Sequence, residues 1–290
     1  MAREGDAAHL LERARPLLGT MVMIRIPRDP GSDKADFDVQ SIRDAVAAAF
    51  GVIERIGRVM SAHRADSDLA RLARALPGSL ATVDRHTVRV LHLAKYWHAS
   101  SRGAFDPVAA ARQLTARGMR PAFDGVPADP GATLDDIEIL SDSVIKLEAP
   151  LQLDLGGIAK GYAVDQAVET LRGCGVGAGL VNAGGDLRAF GLHHWPVEAR
   201  SCVSRSRTVR LEGLRFLTAG ALASSEAAPS SAEFVWTVRR TGGKPWKSCT
   251  VFAPDCATAD ALTKWGLQAP PESMRLHRIA RMHKARLWQS

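Results

Sequence analysis

Residues 151–191, LQLDLGGIAKGYAVDQAVETLRGCGVGAGLVNAGGDLRAFG, carry the reading of this chain. They predict an apolar strand, a glycine turn, an amphipathic helix, a second glycine turn and another strand. Asp154 and Asp186 stand at the strand–turn junctions, and Lys160 stands at the start of the helix. A strand that enters a helix through Gly156-Gly157 predicts free backbone N–H groups at a positive helix end, a place suited to a phosphate or another anion. The same two glycines also serve a plain tight turn, and both readings stay open on this segment alone.

The familiar glycine-rich motifs do not account for it. Lys160 is followed by Gly161 and is not preceded by P-loop spacing, so GxxxxGK[ST] is absent. The glycines at 173, 175, 177 and 179 never complete GxGxxG, which removes the dinucleotide fold. Asp154 reads either as a helix N-cap or as a ligand contact, and Asp186 either as turn chemistry or as a ligand contact. Asp106, in GAFDP, reads as a turn former before proline.

Working outward, residues 20–26 alternate as a strand with Val22, Ile24 and Ile26 on one face. A helix over 41–60 follows, with Ile42, Val46, Phe50, Ile53, Ile56 and Met60 at helical spacing. A short helix capped by Asp66 or Ser67 comes next, then a helix from Asp84 to about His98 and the breaker loop SRGAFDP. Residues 120–136, rich in Pro, Gly and Asp, read as an excursion. Strands are predicted at 196–200, 207–211, 234–238 and 248–253, helices at 258–267 and 272–283, and a last strand at 285–289. Runs of helices and runs of hairpin-spaced strands predict an α+β fold with mostly antiparallel sheets flanked by helices.

Composition narrows the function. Of the 290 residues, 46% are hydrophobic and 24% charged, an ordinary balance for a globular protein. The net charge of +7 collects at 200–215 and 275–286, but with only 6% aromatics these runs read as solvated basic faces and not as a nucleic-acid surface. Cys174, Cys202, Cys249 and Cys256 show neither zinc spacing nor a disulfide framework. No stretch approaches the roughly 18 consecutive apolar residues of a membrane span, and the N-terminus carries no signal peptide, so the chain as written reads as cytoplasmic.

One helical segment differs in kind. In ATADALTKW, residues 257–265, Asp260, Thr263 and Lys264 fall at i, i+3 and i+4, so one face carries a carboxylate, a hydroxyl and an ammonium. Oxygen ligands of that type suit Mg²⁺, although an acid near a helix N-terminus is also stabilised by the macrodipole alone.

Taken in order, six short segments resemble the FAD:protein FMN transferase family, the ApbE-like flavin transferases. PLLGT (16–20) is similar to the family's N-terminal MGT strand, with Leu18 for Met. MSAHRADSDLARL (60–72) is similar to its MS-x-[YW] segment, with His63 for the aromatic. GAFDP (103–107), LDLGGIAKGYAVD (153–165), VNAGGD (181–186) and ADALTK (259–264) complete the set. The resemblance implies an ApbE-like fold of two interlocked lobes, with residues 1–15 as an N-terminal extension and 16–290 as a single domain. It implies cleavage of FAD at its pyrophosphate, esterification of FMN to a Thr or Ser hydroxyl of an acceptor flavoprotein, and release of AMP. By position, Ala104, Phe105, Asp106, Asp154, Lys160 and Asp186 would contact FAD, and Leu18 and His63 would meet the flavin. The main-chain oxygen of Gly157 and the side chains of Asp260 and Thr263 would hold Mg²⁺; Asp260, Lys160 and Thr263 would carry the chemistry. Many such proteins are periplasmic or membrane-anchored.

The chain departs from the family pattern at three places. Lys264 stands where the family has its second metal-ligand hydroxyl, four residues after Asp260. In VWTVRRTG (235–242), Val235 and Val238 replace the family's His and Asp. In ASSE (223–226), Glu226 stands at a glycine position. These departures keep two alternatives in view: an FAD-binding carrier or sensor without transfer, and an FAD pyrophosphatase that yields FMN and AMP.

Overall fold

The structure is a computed structural model that describes residues 10–27, 39–116, 118, 125–197, 199–201, 204–209, 214, 216–227, 246–270 and 272–289. In chain order the elements are β1 (Leu10–Leu17), β2 (Thr20–Pro27), α1 (Val39–Val59), α2 (Asp68–Arg74), β3 (Leu80–Thr82), α3 (Arg85–Ser101), α4 (Pro107–Ala116), β4 (Ile137–Ile139) and β5 (Val144–Leu147). The second half continues with α5 (Ala159–Gly173), β6 (Gly179–Ala183), β7 (Asp186–Phe190), β8 (Trp195–Pro196), β9 (Ala199–Ser201), β10 (Ser204–Val209) and β11 (Phe216–Leu217). It ends with β12 (Gly220–Glu226), β13 (Ser248–Ala253), α6 (Cys256–Gln268), α7 (Met274–Met282) and β14 (Arg286–Gln289). The fold is α+β, as the runs of helices and of hairpin-spaced strands predict.

Its frame is a seven-stranded sheet in the order β1-β2-β6-β7-β12-β13-β14, antiparallel at every pairing. Val22, Ile24 and Ile26 all face the core, as their alternation requires. β1 and β2 join through Leu18 and Gly19, both at positive φ (55° and 70°), the geometry a two-residue hairpin turn demands. Residues 10–15 therefore lie in the sheet. Helices α1, α5 and α6 pack side by side, and α5 and α6 rest on β6, β7, β12 and β13. Strand residues that point the other way, Leu180, Ala189 and Leu222, form a second apolar cluster with Trp195, Val197 and Leu217. A separate sheet of order β3-β5-β4 stands apart from the large one. Among the described residues no helix is long and apolar enough to cross a membrane.

Local signals act where the sequence places them. The apolar stripe of α1 buries Val46, Phe50, Ile53 and Ile56, with Met60 buried just past its end. Ser67, not Asp66, caps α2 by accepting from Ala70 N–H at 3.1 Å, and Asp84 caps α3 by accepting from His86 N–H at 2.8 Å. Residues 151–155 differ from expectation: they form no strand. Leu151, Leu153 and Leu155 are buried, but Asp154 N–H donates to the carbonyl of Pro107, the first residue of α4, so the segment is held by a helix end and not by a ladder. The strand expected at 196–200 is split into β8 and β9, and that expected at 234–238 lies outside the described residues.

Candidate active site

The first turn of α5 meets α6 at an unusually close crossing. A Cβ built on Gly161 falls on the carbonyl oxygen of Cys256, lies 2.7 Å from that carbonyl's carbon and lies 2.9 Å from Ala257 Cα, so only glycine fits. Closeness here brings two sequence-distant carboxylates into the α5–α6 seam. Asp165 accepts from the N–H groups of Cys256 and Ala257, each at 2.8 Å, and pairs with Arg188 at 3.1 Å. It thus anchors the N-terminus of α6, where Asp255 is the cap. Burial pushes the Asp165 carboxyl up to about 6, against the opposing pull of Arg188 and the two amides.

Asp260 lies one turn further along α6, fully buried, with one carboxylate oxygen accepting from Gly161 N–H at 3.2 Å. Its other oxygen is 3.1 Å from Lys264 Nζ, whose side chain is itself only 1% exposed. Lys264 also donates to Ser225 Oγ on β12 and lies 3.3 Å from Thr263 Oγ1. The Thr263 hydroxyl donates back to the Asp260 carbonyl at 2.6 Å and is 2.8 Å from Ser225 Oγ. From the other side, Lys160 reaches Asp186 at 2.6 Å. Burial works to raise the Asp260 carboxyl, but Lys264, Lys160 and the Gly161 amide outweigh it and hold it below the usual carboxylate range. Asp186 goes the other way: burial, joined by the charge of Asp260, raises it despite Lys160 and Lys264.

The result is a compact cluster of two carboxylates and two ammoniums at the α5–α6–β7–β12 junction. Lys160 is the member that reaches solvent, at 26% side-chain exposure against 3% for Asp186. The anion cradle is less open than the sequence suggests, because several of its amides already have partners. Gly156 N–H donates to Asp154 Oδ1 at 2.8 Å, Ile158 and Ala159 donate to the Leu155 carbonyl, and Gly161 donates to Asp260. Asp154 is thus not the cap of α5, which starts without any side-chain cap bond.

The expected site residues divide into two groups. Lys160, Asp186, Asp260 and Thr263 converge, and Gly157 is buried on the turn that enters α5. The GAFDP loop is tied to the same helix through Gln268, which donates to Ala104 O at 2.7 Å and to Lys264 O at 3.2 Å. Phe105 is buried, and Asp106 caps α4 by accepting from Val108 and Ala109 at 3.0 Å. Leu18 sits over Gly57 of α1, where a Cβ would lie 2.8 Å from Leu18 Cδ2. His63 is exposed, and its backbone N–H bonds locally to Ser61 Oγ at 3.1 Å. Gly161, Asp165, Ser225 and Gln268 were not singled out by sequence reasoning. Only Ser225 had a usable signal, the alternation along ASSE that turns it inward between outward-facing neighbours. Residues 235–242, with Val235 and Val238, lie outside the described residues.

The donor set does not fit the divalent ion that the resemblance implies. Both Asp260 oxygens already accept hydrogen bonds, and the buried Thr263 hydroxyl is shared among three partners. A divalent ion and an ammonium about 4 Å apart repel by on the order of 8 kcal/mol at an effective dielectric of about 20. Among the described residues, no three His, Cys, Asp or Glu side chains converge as ligands.

Comparison with known proteins supplies the context for this geometry. A model of the ApbE family matches residues 18–284. The FAD:protein FMN transferase of Treponema pallidum (strain Nichols) is 28% identical over 204 residues, which cover 64% of this chain and 53% of that protein. The chain thus aligns with about half the length of that relative. The FAD:protein FMN transferase of Vibrio cholerae serotype O1 (strain ATCC 39541 / Classical Ogawa 395 / O395) is 24% identical over 267 residues, 85% of this chain and 78% of the relative. Among solved structures, the apo form of the Pseudomonas stutzeri flavinyl transferase ApbE superposes with a TM-score of 0.74 at 19% identity, covering 97% of this chain and 92% of the other. The flavin transferase ApbE of Vibrio cholerae gives 0.72 at 21%, covering 97% and 93%. These two likenesses show the fold.

Proposed function

This chain belongs to the ApbE family, whose named relatives are transferases, and from that premise we propose that it moves FMN from FAD to a Thr or Ser hydroxyl of an acceptor flavoprotein. The acceptor oxygen forms a bond to the phosphorus on the FMN side of the pyrophosphate. The bond from that phosphorus to the bridging oxygen breaks, AMP departs with the oxygen, and the hydroxyl proton passes to the released AMP phosphate or to solvent. Such displacements depend mainly on positioning and on neutralising charge at the phosphoryl oxygens.

What supports this reading most is the meeting of Lys160 and the first turn of α5 with Asp260 of the ADALTK helix, 99 positions beyond Gly161, in one cluster with a single solvent-reaching ammonium. In this reading Lys160 meets one pyrophosphate oxygen, and its ion pair with Asp186 at 2.6 Å fixes its position. Ala104, Phe105, Asp106 and Asp154 are the remaining FAD contacts in this reading, with Leu18 and His63 toward the flavin.

Incubation with FAD and an acceptor protein that carries a Thr-containing target segment tests the proposal, with and without Mg²⁺. Transfer gives a covalent fluorescent flavin on the acceptor and one AMP per flavin attached. FMN released without acceptor would mark a pyrophosphatase. Stoichiometric FAD binding with no product would mark a carrier, and either result would overturn transfer.

A further inference from the structure

The charge pattern at the α5–α6 seam carries a consequence for the metal. We propose that the Lys264 ammonium is a built-in cation in this chain, standing where a divalent ion would otherwise neutralise Asp260, so that FAD binding and phosphoryl transfer here do not depend on Mg²⁺. The inference rests on the flavin-transfer reading for its ligand, but its metal arm can be tested without FAD.

Three observations carry it. First, Asp260 and Lys264 are 0% and 1% exposed and pair at 3.1 Å, so the carboxylate oxygen that would face an ion already faces an ammonium. A buried ion pair persists only when its geometry and hydrogen bonds are complete, and here Ser225 and Thr263 accept from the same ammonium. Second, the hydroxyl available at the helix, Thr263 Oγ1, donates to the Asp260 carbonyl at 2.6 Å and so turns back on its own helix. Mg²⁺ demands near-octahedral oxygen ligands with several waters, for which a fully buried, lysine-filled corner leaves no room. Third, the cluster of Lys160, Asp186, Asp260 and Lys264 is electrically balanced. With a neutral hydroxyl at 264 it would carry one uncompensated buried carboxylate, which repels a pyrophosphate unless a cation enters. Lys264 does not reach solvent and is a positioning residue: it removes the Asp260 charge from the field that Lys160 presents to the ligand.

The experiment uses the full chain and its Lys264→Thr variant. FAD affinity is read from flavin fluorescence in EDTA and in millimolar Mg²⁺, and divalent binding to the FAD-free protein is read from the Mn²⁺ EPR spectrum. Wild type is expected to bind FAD with the same affinity, within about twofold, in both buffers, and to leave Mn²⁺ as the free ion. Lys264→Thr is expected to lose about tenfold or more in FAD affinity in EDTA and to regain it with Mg²⁺. Stoichiometric Mn²⁺ on wild type, a tenfold loss of wild-type FAD affinity in EDTA, or a folded Lys264→Thr protein that binds FAD in EDTA as wild type does, would each overturn the proposal. If wild type binds no FAD in either buffer, the transfer reading fails and the Mn²⁺ spectrum still decides this one. If the variant does not fold, the two wild-type measurements decide it.

Discussion

Gly161→Ala is the most informative single change, because one methyl group would be placed between two helix ends. The new Cβ falls on the Cys256 carbonyl oxygen and lies 2.7 Å from its carbon, where ordinary contact begins at 3.4 Å, so backbone must retreat by at least about 0.7 Å. Neither obstacle is the tip of a flexible side chain; both are main chain of α6. Overpacking of this kind costs about 1–3 kcal/mol. Separation of the helices also stretches the Gly161 N–H bond to Asp260, already 3.2 Å long, and a bond to a charged group is worth about 1.5–3 kcal/mol. Alanine recovers about 1 kcal/mol of helix propensity. The net is a loss of about 2–4 kcal/mol, and for a chain of this size a fall in Tm of about 5–10 °C. Urea unfolding followed by circular dichroism measures it. Gly173→Ala, at the end of the same helix with nothing within 4 Å of its Cβ, is the control and should be neutral or stabilising by up to about 1 kcal/mol. If Gly161→Ala is as stable as wild type and binds FAD equally well, the close crossing is not what assembles the cluster.

Two further outcomes follow from the same corner. Lys160→Met removes the solvent-reaching ammonium and strands the buried Asp186, so FAD affinity should fall at least tenfold and stability by about 2–3 kcal/mol; adding Asp186→Asn should restore the stability without the affinity, as chemical unfolding and fluorescence titration would separate. Asp165 binds its proton more tightly folded than unfolded, with its carboxyl at about 6 against an ordinary 3.8. Its contribution is therefore full below about pH 4 and is lost as pH rises to about 6, by about 3 kcal/mol in all. Unfolding curves taken across that window should show the slope in wild type and lack it in Asp165→Asn, and an identical slope in both proteins would count against the assignment.

How far the sequence could be read depended on what kind of signal each part carries. Val22, Ile24, Ile26 and the α1 stripe declare their faces through spacing, and Ser67 and Asp84 cap helices because their short oxygens reach the next amides. Leu151, Leu153 and Leu155 show the limit of that logic. Burial of an alternating segment needs a neighbour, and spacing does not say whether that neighbour is a strand or, as here, the Pro107 carbonyl. The three-residue strands β3 and β4 are too short to print a period.

Charge placement was legible in one dimension only. The i, i+4 spacing of Asp260 and Lys264 put both on one helical face, but every residue of α6 is buried, so that face looks onto protein and not onto a pocket wall. Once the helix is enclosed, the two side chains must satisfy each other, since an unpaired buried charge is far costlier than a paired one. Glycine at 161 is what lets α6 come close enough for a main-chain amide of α5 to complete that satisfaction. The segment around Gly156-Gly157 is therefore not an empty anion cradle awaiting a phosphate. Its first-turn amide at Gly161 is already answered by Asp260, whose charge is in turn answered by Lys264, and on the transfer reading a ligand's negative charge is left to Lys160 at the open edge. A carboxylate inside a phosphate site works against binding unless something fixed cancels it. In the proposed arrangement residue 264 decides what that is: a hydroxyl there calls for a metal ion, and a lysine supplies the cation from the chain itself.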